Sequence, residues 1–192
     1  MTDTYDPDAL KARLERLDRS RATVFAAMCA ELLAPVWPRY CELTGLSEPT
    51  LLERSLDDLW AALDGTERDL RADLEALEAA APDEDDDPYV FETGYAMNAC
   101  SSATYAVQVW LGGDAQHAEW AARQVWEAAD LTAEDEEGEA TFGPPVNAED
   151  VADAAVAFVE ECAAAAADER EGPADLRARA RAAAERWWRQ PS

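Results

Sequence analysis

The sequence predicts an all-α fold: a single-domain bundle of seven or eight helices around a central uncharged helix. Three observations carry this. Apolar residues recur at helical spacing along nearly the whole chain, with no sustained two-residue alternation. Residues 93–113 form a run of 21 without one charged side chain. Pro, Gly and Asp stand where helices should start and stop. A chain of 192 residues fits one domain and buries roughly 70% of its unfolded surface, enough for a core without staples.

The elements follow in order. Asp6-Pro7 is a start signal, with an acceptor side chain ahead of proline at the first helical position. Leu10, Leu14 and Leu17 give the first stripe. A second helix begins near Ser20 and carries Phe25, Met28 and Leu32 on one face. Pro35 and Pro38 break or kink it, because proline lacks the amide and clashes with the preceding turn. Trp37, Tyr40 and Cys41 continue that face to Gly45, a stop. Pro49 reopens a helix with Leu52, Leu56, Leu59, Trp60 and Leu63. The next holds Leu70, Leu74 and Leu77 and ends before Pro82. After an acidic loop at 83–88 the uncharged helix runs to Gly112-Gly113, and Asp114 caps its successor. A second acidic loop spans 132–147. Val151, Ala155, Phe158 and Cys162 mark the seventh helix, and Leu176, Ala180, Ala183 and Trp187 the eighth.

The chain holds 42 Asp and Glu against 16 Lys and Arg, a net charge of −26. Such a surface disfavours nucleic acid and anionic membrane as partners. Charge is uneven: residues 22–169 carry five bases and 34 acids, residues 170–192 six bases and three acids. A basic end helix docking on an acidic body explains this pattern. An Arg-rich handle for nucleic acid, on residues 177–189, is the alternative. The uncharged run contains Asn98, Ser101, Ser102, Thr104, Gln108 and three Gly, so it reads as a helix wrapped by other helices rather than by lipid. The opening MTDTYDPDAL has neither a basic start nor an apolar core, so no signal peptide is expected. Cys29, Cys41, Cys100 and Cys162 form no C-x-x-C pair. They are expected to be reduced, in a cytoplasmic protein.

Several rare residue types together resemble a known group. They are the segment from Phe25 to Glu31, Pro35, Tyr40-Cys41-x-x-Thr44-Gly45, Leu56-x-x-Leu59-Trp60, Tyr95-Ala-Met-Asn98-Ala99-Cys100, Leu111-Gly-Gly and His117-Ala118. In this order and spacing they resemble the YjaG-like proteins, a domain-of-unknown-function family of small all-helical bacterial proteins, over about residues 10–130. Asn98 stands where that pattern leads one to expect an acid. The resemblance implies a compact helical fold and a bacterial cytosolic origin. It implies no reaction, cofactor or catalytic residue.

Several chemistries lack their residues. His117 is the single histidine, so a di-iron bundle, which wants two Glu-x-x-His elements, has nothing to pair with Asp114-x-x-His117. Zincin and zinc-deaminase patterns are incomplete. Asp83, Asp85 and Asp87 match the first three EF-hand ligand positions, but Pro88 replaces the turn glycine and Gly94 the bidentate Glu. No metal or other cofactor is therefore expected. A Cys–His nucleophile is disfavoured because free cysteines usually pack as small hydrophobes.

Glu31, near the proline break, is the acid of most interest. A structural role, accepting amides freed by Pro35 or pairing with an Arg such as Arg54, is preferred over acid–base work. Trp37, Tyr40, Trp60, Tyr95 and Trp110 either pack the core or line a pocket anchored by Asn98 and Glu31. The expected function is a non-catalytic interaction or ligand-binding module. Glu31, Trp60, Tyr95, Asn98 and His117 are its candidate binding residues. Trp120 and Trp126 are candidates for a homo-oligomer or protein-partner surface. The rival is a small-molecule enzyme using Glu31, Asn98 and His117.

Overall fold

Several helix boundaries rest on a local device. Asp6 accepts the Ala9 amide at 3.0 Å and Pro7 opens α1 (Pro7–Leu14). Asp18 accepts the Arg21 amide at 2.9 Å and opens α2 (Arg19–Leu33). Pro35 ends α2 outright, and the chain restarts as α3 (Val36–Thr44). Pro38 falls in the first turn of α3, where a missing amide costs nothing. Gly45, at φ +77°, closes α3 by donating to the Cys41 carbonyl at 2.9 Å. Then follow α4 (Leu51–Leu63), α5 (Leu70–Ala80) and α6 (Glu92–Trp110). Asp114 opens α7 (Ala115–Glu134), and α8 (Ala148–Ala167) and α9 (Pro173–Trp187) complete the order. The computed structural model describes residues 5–83, 88–134 and 148–188. The acidic loops expected at 83–88 and 132–147 lie, apart from their ends, outside the described residues.

The fold is all-α, and the described residues contain nine helices rather than seven or eight. The difference has one cause. The second expected helix, carried through Pro35 to Gly45, is two helices, because a proline amide cannot continue the ladder and its ring opposes the previous turn.

The uncharged helix is central, as expected, but it is not alone there. The uncharged helix α6 packs against α2, α3, α4, α5 and α7, as a central helix should. It shares that position with α2, which packs against α4, α6, α7, α8 and α9. Every residue of α2 from Ala22 to Leu33 is buried. A helix apolar around its whole circumference belongs inside. Its Ala and Cys side chains let neighbours approach closely, while Phe25, Met28 and Leu32 fill the gaps between them. Fully burying each of these large side chains contributes on the order of 1.5–3 kcal/mol. One continuous cluster of buried side chains runs from Leu10 to Trp188. Among the described residues, no helix is long and apolar enough to cross a membrane.

Candidate functional site

The break at Pro35 leaves a gap where α2 ends and α3 departs, and α9 lies across it. The result is a cavity of roughly 400 Å³, within the range of small-ligand sites. Ala34, Pro35 and Pro38 form one wall, and Ala184 and Trp188 the other. Glu31, Glu53, Glu185 and Arg181 supply its charge.

Glu31 sits in the last turn of α2, with its side chain 5% exposed. Arg177 Nε donates to one of its oxygens at 2.7 Å, and Arg181 Nε to the other at 3.2 Å. The two arginines lie four residues apart on α9, so both reach the same side. Both also meet Asp57 of α4, Arg177 closely and Arg181 at 3.4 Å. Burial works against the charge on Arg177, but Glu31 and Asp57 outweigh it and hold the guanidinium above its ordinary value. The preference for a structural pairing of Glu31 agrees with this geometry, although the partner is not Arg54. Arg54 meets Glu48 at 3.5 Å instead, an exposed pair.

Trp188, just past α9, donates its indole N–H to the Leu32 carbonyl at 2.5 Å. It thereby occupies a carbonyl near the end of α2. Tyr95 packs edge-on against Trp188 at 5.8 Å and against Phe91 at 5.5 Å. Tyr95 is thus one side chain removed from the cavity.

The other candidate residues lie elsewhere. Asn98, one turn further along α6, shares a face with Gly94 and Ser102, which meet α7 through Leu131 and the Ala121 carbonyl. Trp60 is buried on α4 and is absent from the cavity wall, and its indole N–H has no partner among the described residues. His117 binds Asp114 Oδ1 at 3.1 Å and packs edge-on to Trp120 at 5.3 Å. Trp120 in turn meets Tyr105, about 10 Å along α6 from Asn98 by helical rise. The hydrogen bond from His117 is the main reason the Asp114 carboxyl lies below its usual range. Trp120 and Trp126 are both half-buried by their own chain, Trp126 stacking on Tyr5 at 6.0 Å.

All four cysteines are free and buried. Burial raises the thiols of Cys41 and Cys162 and pushes Cys100 up to about 12, so thiolate chemistry is suppressed. Three of the α9 arginines are ion-paired within the chain: Arg177 and Arg181 with Glu31 and Asp57, and Arg179 with Glu171 at 2.7 Å, while Arg186 is exposed. Among the described residues, no group of three or more His, Cys, Asp or Glu side chains is placed to hold a metal ion.

Sequence reasoning missed Trp188 and the two arginines as parts of this site. The one signal for them was the basic end helix opposite an acidic body.

The fold and site define a class, an all-helical bundle with an open cavity bordered by its ion-paired helix α9. The chain belongs to the family described as Protein of unknown function (DUF416), whose model matches residues 9–181. It is 30% identical over 104 residues to the uncharacterized protein YjaG of Escherichia coli K12. That match covers 53% of each protein, so it spans about half the length of this curated relative. The YjaG-like resemblance is borne out. A crystal structure of a DUF416 family protein from Shewanella baltica OS155 superposes with a TM-score of 0.67. The superposition covers 88% of this chain and 92% of that one, at 16% identity, and shows a shared fold.

Proposed function

We propose that the chain is a non-catalytic small-ligand-binding module, one domain over residues 1–192, with the ligand seated in the cavity between the α2–α3 break and α9. The observation that carries this reading is the state of Glu31. Both its oxygens are engaged by guanidinium groups, so neither is free to take a proton from a substrate. What remains around it is a walled space of ligand size with an aromatic side. The positions of Asn98 and His117, outside that wall, support binding over an enzyme built on Glu31, Asn98 and His117. The buried free thiols suit a reducing compartment, and we assign the protein to the cytoplasm.

Native mass spectrometry of protein from its own host tests the reading. A retained small molecule is expected, and it should vanish in Ala34→Leu, which fills the cavity mouth without touching the ion pairs. The same adduct in both proteins, or none in either, overturns the assignment.

The partner-surface reading of Trp120 and Trp126 is checked separately. Trp120→Ala and Trp126→Ala should leave the mass by light scattering unchanged, because the rings are engaged within the chain. A drop in mass in either variant restores an oligomer surface.

A further inference from the structure

We infer that one end of the bundle, where α3 and α5 finish and α6 starts, docks a basic amphipathic segment of another protein. Among the described residues the exposed large apolar side chains are Leu43, Leu46, Tyr89 and Phe91. All of them belong to this end, whereas exposed apolar residues are ordinarily scattered singly. Tyr89 is the barest, at 60% exposed.

The packing brings them together. Pro38, early in α3, shares a cavity wall with Trp188, and Trp188 meets Tyr95. Arg39 Nε then donates to Glu92 Oε1 at 2.6 Å, nearer the start of α6. α3 therefore runs toward residues 88–91, and Leu43, one turn past Arg39 on the same face, arrives beside them. The Val90 amide donates to Thr93 Oγ1 at 3.1 Å and fixes this entry into α6. Leu46 forms the lip of a groove of roughly 290 Å³, with Trp37, Leu51, Ala76, Ala79 and Ala80 around it. The alanines of α5 leave room for side chains of a docked helix to enter.

Charge decides what covers this end. Glu42 stands next to Leu43, and Glu75 and Glu78 flank the groove alanines of α5; all three are exposed. The nearby guanidinium groups already meet acids of the chain, Arg39 on Glu92 and Arg54 on Glu48. No Lys or Arg stands between Arg71 and Arg123. A second copy in a two-fold dimer brings the same acidic rim against itself, and an anionic lipid surface is repelled as well. A cationic segment with an apolar stripe matches both the apolar centre and the acidic rim.

The test is fluorescence anisotropy of a labelled synthetic Leu/Lys helix, its leucines on one face, titrated with the full chain. One control peptide has Glu in place of Lys. The other keeps the Leu/Lys composition but spreads the leucines around the helix. The amphipathic basic helix is expected to bind saturably, with each control weaker by about tenfold or more. Leu43→Ser/Leu46→Ser/Tyr89→Ser, a triple change at exposed positions, should weaken binding by about tenfold and leave the melting curve in place. Tyr89→Ser alone should weaken it by about threefold, and it decides the matter if the triple variant does not fold. Added salt should weaken binding further.

The inference falls if the basic helix does not bind, or if the serine variants bind it as tightly as the parent. It falls too if either control peptide binds equally well, since charge or greasiness alone then accounts for the affinity. A dimer in light scattering that the serine variants split assigns this end to a second copy and overturns a basic partner. Sedimentation with phosphatidylcholine vesicles, lost in the same variants, assigns it to a lipid surface and overturns it likewise.

Discussion

Two of the buried carboxylates, on α2 and α7, are held in opposite ways. Glu31, at the α2–α9 junction, is held by two guanidinium groups beside a cavity. Glu119, on α7, is 3% exposed and, among the described residues, takes neutral donors, Tyr5 O–H and Gln116 Nε2, each at 2.7 Å. Burial and the hydrogen bond to Glu119 hold the Tyr5 phenol far above its ordinary value, so its proton stays in place as the donor. The contrast shows two uses of one residue type. With charged partners a buried acid fastens a whole helix across a gap. With neutral donors it fixes a tight corner.

The largest expected effect breaks the first arrangement. Glu31→Ala should cost about 3 kcal/mol in urea unfolding, because it strips both arginines of α9 of their buried partner. Arg177→Ala should cost more than Arg181→Ala, since Arg177 is 19% exposed and Arg181 is 46%. Equal losses would mean that burial does not set the strength of this clamp.

Glu119→Ala should cost about 2 kcal/mol, the penalty of leaving buried donors unpaired. Glu119→Gln should recover most of that, because an amide oxygen still accepts from Tyr5. The parallel change Glu31→Gln should recover much less, since the lost charge faced two cations.

A smaller effect comes from Asp73, which burial raises above the usual carboxylate range despite a hydrogen bond from Ser55. Its folded form binds a proton more readily than its unfolded form. Stability therefore falls as pH rises from the ordinary Asp value through the raised one. Asp73→Asn should raise the melting temperature at pH 7, with the gain fading below about pH 4. A gain that is constant across pH would dismiss ionisation as the cause.

Arg54→Ala should be the smallest, within about 0.5 kcal/mol, because its partner Glu48 is exposed and 3.5 Å away. A large loss there would point back to an Arg54 role at Glu31.

The same contrast explains what could be read from the residues alone. Caps at Asp6, Gly45 and Asp114 are local, so spacing revealed them, whereas the Asp18 cap starts α2 slightly ahead of the expected Ser20. The central place of α2 was harder to see. Phe25, Met28 and Leu32 suggest one stripe, whereas the Ala and Cys side chains between them are equally buried and register only weakly as apolar. At the site, Glu31 was visible from its proline break. Its partners Arg177 and Arg181 lie 146 and 150 residues away, where no local pattern reaches. Only the sign of the end helix hinted at them.

That separation also bears on how the chain is made. At roughly 5–20 residues per second, the ribosome takes on the order of ten to thirty seconds to get from Glu31 to the arginine that meets it. Throughout that interval Glu31 lacks both guanidinium groups that hold it in the finished fold. The junction between α2 and α9 can therefore close only after both arginines have been made.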